Sequence, residues 1–206
     1  MEREDQTEDP ALLERLPLPS AKALLVAAAF GSAALAIVVA GLTIPIPGTG
    51  VVTDPREIFT TTGAGLAGPF GGIVVGVLAG IREPGGIAFA SLLAHVSGGL
   101  WMGFSYKKLV REHTQMPLSV LGWAAIVLLY YFAFVVPGFV IGLDVFYPDV
   151  YAEEYGEGAS LFRAYGELAV GYGERGTGAL PEALLTTLIT TLAFLALPRR
   201  HRRPLW

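Results

Sequence analysis

From Gly68 to Gly80 a glycine falls at every fourth position, Gly68, Gly72, Gly76 and Gly80, and Pro69 cuts into the run at its start. Residues four apart share one face of a helix, so these glycines form a stripe bare of side chains on which a second helix can approach to backbone distance. Pro69 has no amide hydrogen and disfavours helical geometry in the residue before it. The spacing therefore predicts a tight hairpin of two short helices, one ending at Gly68-Pro69 and the next beginning at Gly71-Gly72. Arg56 and Glu57 precede the first leg, and Arg82 and Glu83 follow the second, so the hairpin gathers four charges at one mouth. Small residues at this spacing are packing devices in any polytopic membrane protein. Charges beside membrane helices, by contrast, usually face water or a cavity.

The rest of the chain has the composition to match. Of 206 residues, 53% are hydrophobic and 16% charged, with a mean hydropathy of +0.56, against about 25% charged residues in a soluble domain. The reading is an all-α integral membrane protein of the plasma (inner) membrane. There is no cysteine, which removes disulfides, thiolate metal sites and cysteine nucleophiles together. His95, His113 and His201 are scattered and form no HExxH-like pair, so neither a metal nor a cofactor is expected.

Residues 1–20 are acidic, contain proline and lack a basic segment leading into a cleavable apolar core, so they read as a cytoplasmic tail. A single membrane domain is expected over 21–198, followed by a basic cytoplasmic C-terminus, 199–206. Its first helix runs from about Ala21 to Leu42 and is rich in small-xxx-small pairs. Thr43 to Val52, with Pro45, Pro47 and two glycines, must be a structured loop or extended segment. After the hairpin come a fourth helix at Ile87–Tyr106, a fifth at Leu118–Leu143 kinked at Pro137-Gly138, and a last at Pro181–Leu197. Residues 144–180 carry seven acids, two arginines and five tyrosines. Within them Leu161, Phe162, Tyr165, Leu168, Ala169 and Tyr172 fall at helical spacing, as an interfacial helix or a lid over a cavity requires.

The distribution of basic residues sets the expected count of membrane segments. With the hairpin as two helices there are six membrane-embedded helices, both termini are cytoplasmic, and ten of the fourteen lysines and arginines lie on the cytoplasmic side. One helix in its place would divide the charges eight to six.

The order of these parts resembles the substrate-binding S component of energy-coupling factor (ECF) transporters: an alanine-rich first helix, an IPIPG loop, the AGLAGPFGGIVVGVLAG hairpin and a basic C-terminus. The resemblance implies six helices that capture a small micronutrient, vitamin-like, from outside the cell. It also implies that Ala23, Ala27 and Gly31, or Ala29 and Ala33, dock the first helix on a transmembrane coupling subunit that works with ATPase subunits. The same hairpin is similar to the membrane sensor domain of LytS-type histidine kinases. There Arg56, Gly68, Pro69, Gly72, Gly76, Gly80, Arg82, Gly85 and Gly86 fall on its arginine and glycine-proline pattern, with Arg82 one residue early. A sensor acting with a separate output protein is thus the alternative function, and a structural subunit of a membrane complex is another.

Ligand binding is expected at the outer mouth, from Arg56, Glu57, Arg82, His95, Trp101 and Tyr130. The two arginines would attract an anionic group and the aromatic rings would stack on a ligand ring. The expected partners are a small-molecule substrate, the lipid bilayer and, on the transporter reading, the coupling and ATPase subunits, with no nucleic acid. No catalysis is expected. Ser91 and His95 share a helix face, but no second histidine, GxSxG or acidic pair accompanies them in the sequence. The chain also lacks a Walker A pattern, so ATP would be hydrolysed by other subunits.

Overall fold

A computed structural model describes residues 19–45, 52–111, 116–171 and 178–196 of the chain. The acidic tail, the basic C-terminus, His113, His201, Pro47 and Tyr172 lie outside the described residues.

Helix α1 (Ala21–Ala40) opens with Ser20, whose hydroxyl accepts the Ala23 N–H, and closes at Gly41, whose φ of 62° lets its N–H turn back onto the last carbonyls. Ile44–Pro45 then pairs antiparallel with Val52–Thr53, in register Ile44 to Thr53. Asp54 Oδ1 accepts the Arg56 N–H at 2.8 Å and so satisfies one free donor at the start of α2 (Arg56–Gly80).

Helix α2 is not straight. Gly68 has φ 79° and ψ −175°, outside helical space, directly before Pro69. A straight helix would hold residues 56 and 79 about 35 Å apart, yet the Arg56 guanidinium reaches the Ala79 carbonyl at 3.3 Å and Glu83 at 2.7 Å. The two halves, 56–67 and 69–80, therefore fold back on one another at Gly68, which only glycine can hold at that φ without strain.

Helix α3 (Ala88–Tyr106) follows a short turn and runs antiparallel to the second half of α2. Its path is dictated by the glycine stripe: Gly72 lies against Gly99, Gly76 against the His95 backbone, Gly80 against Ser91 and Gly103 against Gly68. A side chain at any of these would collide with backbone, so the stripe fixes both distance and register. After a π-helical turn (Lys107–Arg111), α4 (Met116–Leu129), a second π-helical turn (Tyr130–Val135) and α5 (Val136–Phe146) make one continuous run. The expected kink at Pro137 takes this wider form: the Val136 N–H bonds to the Tyr131 carbonyl, five residues back, just ahead of the proline that cannot donate. The extra residue in the turn buries Tyr130 and Tyr131 together.

Residues 144–180 are not a plain loop. They contain α6 (Pro148–Tyr155) and α7 (Leu161–Val170), the latter capped by the Ser160 hydroxyl on the Arg163 N–H and by Gly171 at φ 76°. Helix α7 turns Ala164 and Ala169 inward and leaves Phe162 86% exposed. Helix α8 (Ala179–Ala196) is the last of the described elements.

The fold is all-α, and the expected six membrane-embedded helices are not met as six spans. Among the described residues four helical segments have the length and apolar composition of a membrane span: Ala21–Ala40, Arg56–Gly80 counted across its fold-back, Pro117–Phe146 and Ala179–Ala196. The shortfall has two causes. Each half of α2 covers only about 18 Å, against a bilayer core of about 30 Å, and α3 is diluted by His95, three serines and three glycines.

Candidate functional site

The fold-back of α2 brings its two ends together and defines a mouth. Ser91 and His95 of α3 lie at this end because Gly80 and Gly76 pack on their backbones. The end of α5 joins them, with Gly142 against Ala90 and the Tyr147 hydroxyl accepting the Phe89 N–H at 3.2 Å. Glu182 at the start of α8 faces the same charges, Glu57, Arg56 and Asp54.

One connected polar chain runs inward from here. Arg56 Nη1 donates to Glu83 Oε2 at 2.7 Å and its Nη2 lies 3.4 Å from Oε1, while its Nε is 3.0 Å from Asp54 Oδ2. Ser91 Oγ lies 2.8 Å from Glu83 Oε2 and 3.1 Å from His95 Nδ1. His95 Nε2 lies 2.7 Å from Glu57 Oε1, and the Tyr130 hydroxyl donates to Glu57 Oε2. Glu57 and His95 are each 3% exposed and Ser91 and Tyr130 wholly buried. Outside the helices, burial pushes the Asp54 carboxyl up, partly opposed by the Arg56 guanidinium beside it. Isolating any of these charges in an apolar bundle is costly; ionisable side chains among membrane helices pair with one another and mark functional sites.

Of the six residues expected at the site, four come together: Arg56, Glu57, His95 and Tyr130. Arg82 does not join them. It is exposed and makes no ion pair with any described residue. Trp101 lies lower on α3, where its indole N–H donates to the Ile126 carbonyl at 3.0 Å and its ring stacks on Phe134 at 5.0 Å. Arg56 is taken by three carboxylates and a carbonyl, whereas Arg82 is exposed and outside that network. The small residues of α1 divide as well. Ala23, Ala27 and Gly31 are buried, with Gly31 against Val75 and Leu78 of α2, whereas Ala29 is exposed and Ala33 half-buried.

The sequence reading has Glu83 only as a mouth charge and does not single out Asp54 or Glu182 as site residues. Glu182 had a legible signal, as an acid in the first turn of the otherwise apolar ALPEALLTTLITTLAFLA. Glu83 had none, because its partners Arg56 and Ser91 are 27 and 8 residues away.

Ser91, His95 and Glu57 have the order of a nucleophile–base–acid triad, but the surroundings do not suit catalysis. Ser91 is fully buried, its Oγ also borders a carboxylate, and its N–H is bonded to the Ile87 carbonyl rather than open for an oxyanion. Among the described residues no three histidine, aspartate or glutamate side chains converge closely enough to hold a metal ion. No family model, curated protein or solved structure matches the chain.

Proposed function

We propose that this chain is a membrane-embedded binding subunit that captures a small, micronutrient-sized solute at the mouth of the α2 fold-back, without chemistry of its own. The observation that carries this reading is the concentration of Asp54, Arg56, Glu57, Glu83, His95 and Glu182 at one end of an otherwise apolar bundle. Thr53, just before α2, and Tyr147, just after α5, lie at that same end. Arg56 is already engaged and carboxylates outnumber cations, so the favoured solute is a hydrogen-bond donor or a cation rather than an anion.

On this reading the chain works like an ECF S component and delivers its solute to a coupling subunit powered by separate ATPase subunits. The docking face is the open side of α1, through Ala29 and Ala33, because Ala23, Ala27 and Gly31 are already spent on α2. The sensor reading uses the same mouth and differs only in the partner, an output protein instead of a coupling subunit.

Mass spectrometry of small molecules that co-purify with the detergent-solubilised chain tests the proposal. One species should be enriched over an unrelated membrane protein, should raise the melting temperature of the stripped chain, and should be lost from Glu57→Gln. A stripped chain that no enriched species stabilises would overturn the binding reading. Replacing Ala29 or Ala33 by phenylalanine should abolish co-purification of coupling and ATPase subunits and leave the solute bound.

A further inference from the structure

The hydroxyl of Ser91 has one proton and stands between two groups that can accept it: Glu83 Oε2 at 2.8 Å and His95 Nδ1 at 3.1 Å. His95 Nδ1 also lies 2.7 Å from the Ser91 carbonyl oxygen, and its Nε2 lies 2.7 Å from Glu57 Oε1. Both of those oxygens are acceptors when Glu57 is ionised. A neutral imidazole has one N–H and one bare lone pair. Put on Nδ1, that lone pair faces a carbonyl; put on Nε2, it faces a carboxylate. The contacts all become donor-to-acceptor when both ring nitrogens carry hydrogen, or when the hydrogen between Nε2 and Oε1 sits on Glu57. In either arrangement the pair holds one proton more than a neutral imidazole beside a carboxylate.

We propose that the His95–Glu57 pair is a proton-binding site whose occupancy Ser91 relays to the Arg56–Glu83 ion pair at the mouth. With the proton bound, the Ser91 hydroxyl donates to Glu83, and Glu83 in turn grips Arg56. When the proton leaves, His95 keeps its Nε2–H toward Glu57, and the bare Nδ1 draws the Ser91 hydroxyl away from Glu83. Glu83 loses a donor and its hold on Arg56 loosens. One proton passes to water at the mouth; the hydroxyl proton reorients without leaving its oxygen, and no other bond changes. The charged and titratable groups around the switch are Asp54 before α2, Arg56 and Glu57 of α2, Glu83 after it, Tyr130 on the far oxygen of Glu57, Tyr131 beside Tyr130, and Glu182 of α8. Together they set the pH at which the proton leaves. The switch needs no bound solute and stands apart from the reading of the protein as a binding subunit.

The test uses the full chain in nanodiscs with His113 and His201 replaced by glutamine, so that ring ¹⁵N labelling reports His95 alone. The chain has no cysteine, so a single one in place of exposed Arg82 (R82C), next in sequence to Glu83, can carry an environment-sensitive fluorophore close to the Arg56–Glu83 pair. Over about pH 5 to 8, the ring should lose the hydrogen on Nδ1 and carry its one N–H on Nε2 at the high-pH end, and the fluorophore should respond with the same midpoint. In Ser91→Ala the ring should still titrate while the fluorophore response is lost. A ring whose Nδ1 keeps the same state across the range overturns the proposal, and this arm needs no change at Glu57, Ser91 or Glu83. A fluorophore response that Ser91→Ala leaves intact overturns the relay.

Discussion

The two ends of the α2 fold-back are held by opposite means. At the mouth, Asp54, Arg56, Glu83, Ser91, His95, Glu57 and Tyr130 are joined by directed hydrogen bonds and ion pairs. At the turn, Gly68 meets Gly103 backbone to backbone, and the space beside them is closed by aromatic rings: Tyr106 edge-on to Trp123, and Trp123 stacked on Phe194 at 5.5 Å. Leu66, Tyr106, Trp123 and Phe194 border a cavity of about 20 Å³ there, room for about one water. The polar end can rearrange by moving a proton or a rotamer, because its contacts have alternatives. The packed end cannot, since its contacts are excluded volume. The proposed binding and switching roles therefore draw on the mouth, and the turn supplies a close-packed frame for it.

That contrast can be broken from either end. The largest effect should come from His95→Leu, which preserves bulk but leaves Glu57 as a buried charge held only by Tyr130 and, at 3.8 Å, by Arg56. Breaking one side of a buried pair costs about 3–5 kcal/mol, and thermal melting in detergent should show it. If His95→Leu melts like the parent, the mouth is not an interdependent polar unit. Next comes Gly99→Ala, whose single added methyl would meet the Gly72 backbone. Overpacking costs about 1–3 kcal/mol, and here the loss should be insensitive to pH, since no ionisable group is touched. A pH-dependent loss would show that the two ends are coupled. The smallest effect is expected from Arg82→Ala, within about 0.5 kcal/mol because an exposed, unpaired arginine holds nothing in place. A larger loss would place Arg82 back at the mouth beside Arg56.

The hairpin shows how far local sequence reaches. A fold-back at Gly68-Pro69 follows from two backbone facts, a residue able to take positive φ and a proline without an N–H, and the four-residue glycine spacing fixes which face the next helix covers. Local signals of the same kind fix the capped ends of α1 and α7 and the apolar character of the long helices. The count of membrane segments was not legible in this way. Residue spacing defines where helices break, but whether a half of α2 spans depends on its 18 Å or so of length and on what surrounds it.

The site was half legible. Arg56, Glu57, His95 and Tyr130 stand out in sequence as ionisable or polar groups among apolar neighbours, and the cost of burying them alone requires partners to exist. Which partners was decided by the tertiary structure alone. Glu57 finds His95 and Tyr130 at separations of 38 and 73 residues, and Arg56 finds Glu83 instead of a ligand at 27. The sequence by itself determined an all-α, membrane-adapted chain with a fold-back at Gly68-Pro69, because backbone sterics and burial act on residues close in the chain. Only the tertiary structure decided that Arg56 is held by Asp54, Glu57 and Glu83 while Arg82 stays exposed outside that network. A guanidinium takes the nearest carboxylates in space, and those are chosen by helix register rather than by position along the chain.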